Sequence, residues 1–335
     1  MAFRPEDRFV WDYWIVRNGA DYHMFFLNAP RSIGDPELRH WNVSIGHAVS
    51  RDLTTWTELP PALTPADGPA WDDYTTWTGS MIRRPDGRWM LFYTGTCRAE
   101  NGLKQRIGAA VSDDLVRFER LPENPLLQVD TRWYEVLEAN LWHDQAWRDP
   151  WIFRVPGDER WHMAFTARGL EGPAFGRGVV GHATSPDLVA WTVEPPLAAP
   201  GLYGQMEVPQ IFERGGRWYM LFCLAHEHFE PAYVATGRPG VVTGTHYLMA
   251  DHPLGPWRLP EDRFLVGDPV GRLYAGRITE APDGGLVFMG FENLDGDRRF
   301  VGGISDPLPV TVLTDGRLQV DASRYGIEPA ARSGE

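Results

Sequence analysis

The sequence predicts an all-β chain folded as one five-bladed β-propeller. Three observations predict it: a strand pair that returns five times, dense punctuation by glycine and proline, and a heavy load of aromatic rings. The 335 residues hold 35 Gly and 28 Pro, which leaves no long stretch with the 3.6-residue apolar period of a helix. They also hold 15 Trp, 16 Phe and 11 Tyr, flat apolar faces suited to a β core or to a sugar subsite. Helix is expected at most as a short stretch between Trp133 and Trp142.

The repeat is read element by element. Buried, strand-like runs begin at Asp21 (DYHMFFLNA), Gly87 (GRWMLFYTG), Glu159 (ERWHMAFTA), Gly216 (GRWYMLFCL) and Gly284 (GGLVFMGFE). After a variable loop each is followed by a second strand: NVSIGHAVS from Asn42, RIGAAVS from Arg106, VVGHATS from Val179, GTHYLMAD from Gly244 and FVGGISD from Phe300. Small residues keep the same places in these second strands. The first three then run into a turn and an aromatic, at Asp52-Leu53 with Trp56, Asp114-Leu115 with Phe118 and Asp187-Leu188 with Trp191; a looser copy stands at Pro253-Leu254 with Trp257. A further strand-like piece precedes each pair, around 10–16, 76–83, 148–153, 207–212 and 273–280, giving about four strands per repeat, the size of a propeller blade. Residues 1–323 are therefore expected to form the single propeller domain, and 324–335 a frayed tail.

Composition excludes several functions. With 32 Lys+Arg against 45 Asp+Glu the net charge is −13, a field that repels nucleic acid and anionic membranes. No apolar run approaches the roughly 18 residues of a membrane-spanning helix. Cys97 and Cys223, both at the ends of apolar runs, read as two buried free thiols rather than a disulfide framework. The N-terminus MAFRPEDRFVWDYW shows no basic region followed by an apolar stretch, and a cytoplasmic location is expected from it.

In a propeller the first strand of each blade lines the central channel, so polar residues on those strands converge however far apart they lie in sequence. The five pieces bring together Asp12 in WDYW, Trp77 and Ser80 in TWTGS, Arg148 and Asp149 in WRDPWIF, Glu207 in QMEVPQIF and Arg277 in LYAGRITE. Carboxylates at the ends of aromatic and apolar strands are costly to desolvate unless paired or used. Taken singly, Asp12 and Asp149 also fit turns and Glu207 an edge strand. Taken together, three carboxylates from three blades match the equipment of glycoside hydrolysis, with aromatic faces to hold the ring. His226 and His228 have the His-x-His look of a metal site but no third ligand; Asp72-Asp73 and the Glu135/Glu138 pair read as solvated loop charges. No metal and no cofactor is expected, and the partner is a small carbohydrate.

At these residues the chain resembles the five-bladed propeller glycosidases of families 32 and 68, the β-fructosidases and fructosyltransferases of clan J. WRDPWIF matches the Arg-Asp-Pro motif of both families, and MEVPQIF is similar to the acid/base strand. WTGSMIRRPDGRWMLFYTG looks like the family 32 serine-glycine-serine blade, with Thr78 in place of the first serine. WDYW is closer to the Trp-Asp-x-Trp nucleophile motif of family 68. The resemblance implies Asp12 as nucleophile, Glu207 as acid/base and Asp149 as transition-state stabiliser, with Trp11, Trp77, Ser80 and Arg148 as substrate contacts. It implies a retaining β-fructofuranosidase acting on sucrose or fructo-oligosaccharides. Arg148 is expected to favour ionised carboxylates, and a water-poor aromatic lining to raise the pKa of Glu207 so that it stays protonated. An inverting arabinofuranosidase or xylosidase of the family 43 type, and a sugar-binding propeller without catalysis, are the alternatives.

Overall fold

The computed structural model describes residues 2–238, 240–261 and 264–328. They form five four-stranded antiparallel sheets, each built from four consecutive strands in chain order, the blades of a five-bladed propeller. Blade one takes β1 (Arg8–Asn18), β2 (Asp21–Pro30), β3 (Ser44–Ser50) and β4 (Thr57–Leu63). Blade two takes β5 (Thr75–Arg83), β6 (Trp89–Thr96), β7 (Arg106–Ser112) and β8 (Glu119–Arg120). Blade three takes β9 (Trp147–Arg154), β10 (Trp161–Arg168), β11 (Gly178–Ser185) and β12 (Thr192–Ala198). Blade four takes β13 (Glu207–Arg214), β14 (Arg217–Leu224), β15 (Thr243–Ala250) and β16 (Val266–Asp268), and blade five β17 (Leu273–Glu280), β18 (Leu286–Glu292), β19 (Leu308–Val312) and β20 (Leu318–Val320).

The middle strands read as unbroken apolar runs because both of their faces are covered. Every residue of β6, β11 and β15 is buried, which is what a strand packed on both sides requires. The small residues of the third strands have a physical cause: Gly46 lies opposite Phe26 and Gly181 opposite Phe165, each under the partner's ring. A Cβ at Gly46 would lie 2.4 Å from the Phe26 ring, and one at Gly181 2.2 Å from that of Phe165. The turn that follows is also shared. In blade one Ser50 Oγ accepts from the Leu53 amide, and Asp52 Oδ1 accepts from the amides of Thr54 and Thr55. Leu53, Leu115 and Leu188 sit at φ +63°, +65° and +73° and all three are buried; burial of the leucine outweighs a left-handed backbone that costs roughly 1–2 kcal/mol. The Pro253-Leu254 copy differs, since Leu254 is exposed.

Blade five departs from the expected pattern. FVGGISD from Phe300 lies antiparallel beside β18, with bridges from Phe300 to Leu294 and from Ile304 to Phe291, and β19 continues the same pairing from Leu308. Gly302 at φ +73° and Gly303 at φ +147° interrupt the regular ladder. The segment also closes the ring: Ile304 bridges to Phe3, and the Gly303 amide donates to Val10 O at 2.8 Å. The helix expected between Trp133 and Trp142 is only a 3-10 turn, Leu137–Ala139. The α-helix of the described residues is Pro231–Val234, and no described helix is long and apolar enough to cross a membrane. Past the expected boundary at residue 323, Tyr325 and Ile327 pack into the core that blades four and five share; residues 329–335 of the expected tail lie outside the described residues.

One irregularity recurs in all five inner strands and sets up the site. Each of β1, β5, β9, β13 and β17 carries a β-bulge at the same register. A bulge places two residues opposite one and re-aims a side chain. The residues before it are Trp11, Trp77, Arg148, Glu207 and Tyr274; those that open it are Asp12, Thr78, Asp149, Val208 and Ala275.

Candidate active site

Nine of these ten residues line an open cavity of about 760 Å³ at the channel mouth, the exception being Ala275. The volume is that of a small-ligand site. Strict alternation would send neighbouring side chains to opposite faces of a strand. The bulge lets Trp11 and Asp12, Trp77 and Thr78, and Arg148 and Asp149 all reach the cavity. Ser80, expected among the substrate contacts, is buried and does not line it. It lies past the bulge, and Thr78 holds the place assigned to it.

The three carboxylates are each held by a neighbouring blade. Thr78 Oγ1 donates to Asp12 Oδ2 at 2.5 Å. Asp149 Oδ2 accepts from Thr166 Oγ1 at 2.7 Å and from the Val208 amide at 3.0 Å. Asp149 and Val208 are at φ +60° and +53°; for a β-branched residue such as Val208 this conformation is strained, and it turns the amide toward Asp149. Glu207 Oε1 accepts from Arg148 Nη2 at 2.8 Å and Oε2 from the Tyr274 hydroxyl at 2.6 Å. Arg148, itself buried, donates through Nη2 to Gln205 Oε1 at 2.9 Å and through Nη1 to Gln105 Oε1 at 3.1 Å and Asp144 Oδ2 at 3.3 Å. Its Nε lies 3.6 Å from Asp149 Oδ2. One planar, permanently charged group therefore spans two of the carboxylates.

These contacts decide the protonation states. Burial, then the charge of Asp149, push Asp12 up to about 7 against the Thr78 hydrogen bond. Burial also raises Asp149, against the charge of Arg148. Glu207 goes the other way: burial acts to raise it, but Arg148 and the Tyr274 hydroxyl together outweigh burial and leave it below its ordinary 4.5. The raised Glu207 expected from its aromatic surroundings is thus corrected, because both of its oxygens face donors and one of those donors is a cation.

Gln105, Asp144, Gln205 and Tyr274, not singled out from the sequence, complete the wall together with His228. Gln205 Nε2 donates to His228 Nδ1 at 2.9 Å. His226 binds Thr243 through its amide and Nδ1. The two histidines belong to a 3-10 turn, and among the described residues no group of three His, Cys, Asp or Glu is arranged to hold a metal ion. Of the loop acids expected to be solvated, Glu138 is exposed and Asp73 half-buried, accepting from the Arg98 amide; the other two are not. Asp72 is buried against Tyr93 and Arg120, and Glu135 against Arg168 and Arg177. Cys223 is a buried free thiol; Cys97 is free and half-buried.

Known proteins share this propeller fold. The family model described as the glycosyl hydrolases family 32 N-terminal domain matches residues 13–291. An insoluble β-fructofuranosidase isoenzyme of Arabidopsis thaliana is 30% identical over 200 residues, 57% of this chain and 32% of the relative, so the match spans about a third of that protein. An extracellular sucrase of Zymomonas mobilis is 27% identical and is matched over 93% of this chain and 81% of its own. An inulosucrase from Halalkalicoccus jeotgali, solved bound to kestose, superposes with a TM-score of 0.77 at 24% identity, covering 96% of this chain and 90% of that one, and shares the fold. The cytoplasmic expectation is overturned by these relatives, of which the Zymomonas protein is extracellular. With the family model covering the propeller from β1 to β18, the chain belongs to the glycosyl hydrolases of family 32 through that family's N-terminal domain.

Proposed function

We propose that the chain is a retaining β-fructofuranosidase acting on sucrose or fructo-oligosaccharides, with Asp12 as nucleophile, Glu207 as acid/base and Asp149 as transition-state stabiliser. The observation that carries the reading is the gathering of these three carboxylates from three blades around one cavity, with Arg148 bridging two of them. The named activities of the Arabidopsis and Zymomonas relatives support it.

The roles follow from which oxygens are already engaged. Thr78 holds Oδ2 of Asp12, which leaves Oδ1 to attack the anomeric carbon. Both protein hydrogen bonds of Asp149 fall on Oδ2, and Oδ1 is left to accept from ring hydroxyls as positive charge develops. Trp11 and Trp77 supply flat apolar faces. The Trp77 indole is fixed by its donation to His40 O at 2.9 Å.

Two working carboxyls of a retaining site share one proton between the pH values at which they titrate, and the apparent pKa values belong to the pair. Hydrolysis uses the arrangement with Asp12 ionised and Glu207 protonated. The Tyr274 hydroxyl can accept as well as donate, whereas Arg148 can only donate. The proton of Glu207 therefore belongs on Oε2, beside Tyr274, from where it passes to the departing oxygen. Attack by Asp12 gives a covalent glycosyl-enzyme; Glu207, now ionised, takes a proton from the water that resolves it.

The test is a product screen with sucrose, raffinose, inulin, levan, an aryl arabinofuranoside and an aryl xyloside, reading released monosaccharides by chromatography. Fructose is expected from the first group. Arabinose or xylose without fructose would overturn the proposal.

A further inference from the structure

One layer past the bulges, the inner strands carry Trp14, Ser80, Trp151, Gln210 and Arg277. Arg277 is 2% exposed and does not line the cavity. Its guanidinium nevertheless meets every other blade. Nε donates to Tyr13 O of blade one at 2.9 Å, Nη1 reaches Pro209 O of blade four at 3.4 Å, and Nη2 reaches Gly79 O of blade two at 3.5 Å. Tyr13, Gly79 and Pro209 are equivalent positions, the second bulge residue of their strands. Blade three contributes the Trp151 ring, whose centroid lies 5.0 Å from the guanidinium carbon.

Carbonyl oxygens satisfy the N–H groups but carry no net charge, and a buried cation is costly unless anions stand near it. Among the described residues Arg277 has no carboxylate at ion-pair distance. Its Nε donates to the carbonyl of the residue that follows Asp12; its charge acts on Asp149 and Asp12 and favours the ionised form of Asp12. The groups that face Asp12 from the surrounding elements are Asp149, Glu207, Cys223, Tyr274, Arg39 and Arg277. Arg39 is bound to Glu37 at 2.9 Å and lies over the Phe300 ring. Arg277 is thus a facing cation with no acid of its own.

We infer that Arg277 is a positioning residue for hydrolysis: a fixed cation under the floor of the cavity that favours the ionised nucleophile Asp12, while its carbonyl contacts tie together blades one, two and four, the first and last of which carry Asp12 and Glu207. The inference rests on the roles proposed for Asp12 and Glu207. It predicts an effect on the protonation of Asp12 that a plug closing the channel would not have.

The experiment compares kcat/KM for sucrose, from about pH 4 to 9, in the wild-type chain, in Arg277→Gln, which keeps amide donors without charge, and in Arg277→Lys, which keeps the charge. For Arg277→Gln the alkaline limb moves up by about one pH unit, the low end expected for loss of one neighbouring opposite charge. At pH 6 kcat/KM falls roughly tenfold, one pKa unit being a tenfold change, with KM little changed. Above the limb the curves draw together, because both carboxyls are then ionised and the rate depends on Glu207 alone. Arg277→Lys leaves the limb in place. Equal losses at every pH in Arg277→Gln, or a limb displaced in Arg277→Lys, overturn the inference. Should Arg277→Gln fail to fold, the limb of Arg277→Lys decides; failure of both to fold assigns Arg277 to blade closure alone. An arm without turnover separates this result from the fructosidase reading: the thermal stabilisation gained by Asp12→Asn above pH 7 is larger in Arg277→Gln than in the wild-type background, and an equal gain overturns the inference whatever the substrate.

Discussion

Replacing the proposed nucleophile is expected to stabilise the fold, increasingly as pH rises above the ordinary titration range of an aspartate. Burial and the charge of Asp149 hold Asp12 up to about 7, against its ordinary 3.8. Between these values the folded chain binds a proton that the unfolded chain has released, so folding stability falls as pH rises through that window and levels off above about 7. At roughly 1.4 kcal/mol per pH unit the loss reaches roughly 4 kcal/mol, an upper end because Asp12 faces the open cavity. An asparagine in its place is isosteric, can still accept from Thr78 and has no charge to desolvate. The gain of Asp12→Asn over wild type is therefore small near pH 4 and grows by roughly 1.5–3 kcal/mol between pH 5 and pH 8. At roughly 2 °C per kcal/mol for a chain of this size, the apparent Tm advantage widens by roughly 3–6 °C. Differential scanning fluorimetry of both chains in matched buffers at pH 5 and 8 measures it. A Tm advantage that is equal at the two pH values, or absent at pH 8, would refute the argument that the site holds Asp12 at the expense of the fold.

Three further outcomes are expected. Glu207→Ala loses sucrose turnover by roughly the 10²–10⁴-fold typical of general acid–base catalysis, while an aryl fructoside with a good leaving group loses far less; equal losses remove Glu207 from the acid role. Tyr274→Phe deletes one of the two hydrogen bonds that hold Glu207 down, so the acid limb of kcat/KM moves to higher pH while the alkaline limb stays, and an unmoved acid limb contradicts the assignment. Early-time NMR of the released sugar, read before mutarotation, shows the substrate's anomeric configuration, since a carboxyl pair working through a covalent intermediate retains it; first-formed product of inverted configuration excludes Asp12 as nucleophile.

The blades were legible because their middle strands are covered on both faces, which writes an apolar run into the sequence each time, and because Gly46 and Gly181 must lie under a partner ring. Blade five's third strand is less regular than its pattern suggests: FVGGISD has the apolar and small residues of a third strand and lies beside β18, yet its two glycines take left-handed or unusual φ and break the ladder where the segment also crosses the ring seam. At the site, Asp12, Asp149 and Glu207 could be picked out because carboxylates are rare in such strands. Thr78 and Ser80 could not be ranked, since only the bulge decides which of them reaches the cavity, and bulges leave no residue signature common to Asp12, Thr78 and Val208. The protonation of Glu207 was out of reach as well. It depends on Arg148 of blade three and Tyr274 of blade five both reaching Glu207, and no local pattern announces those pairings.

The seam between the first and last blades carries a consequence for how the protein becomes active. Each blade is drawn from one continuous stretch of chain, so its hairpins can form from local contacts, which are the fast ones. The site cannot. Tyr13 and Arg277 are 264 residues apart, and the Phe3 bridge to Ile304 that joins the ends of the ring forms only after all five blades exist. The proposed activity is thus expected last during folding: in a refolding time course, β-structure signal precedes turnover, and a ring left open at the seam is a nearly complete propeller with Asp12 and Glu207 still apart.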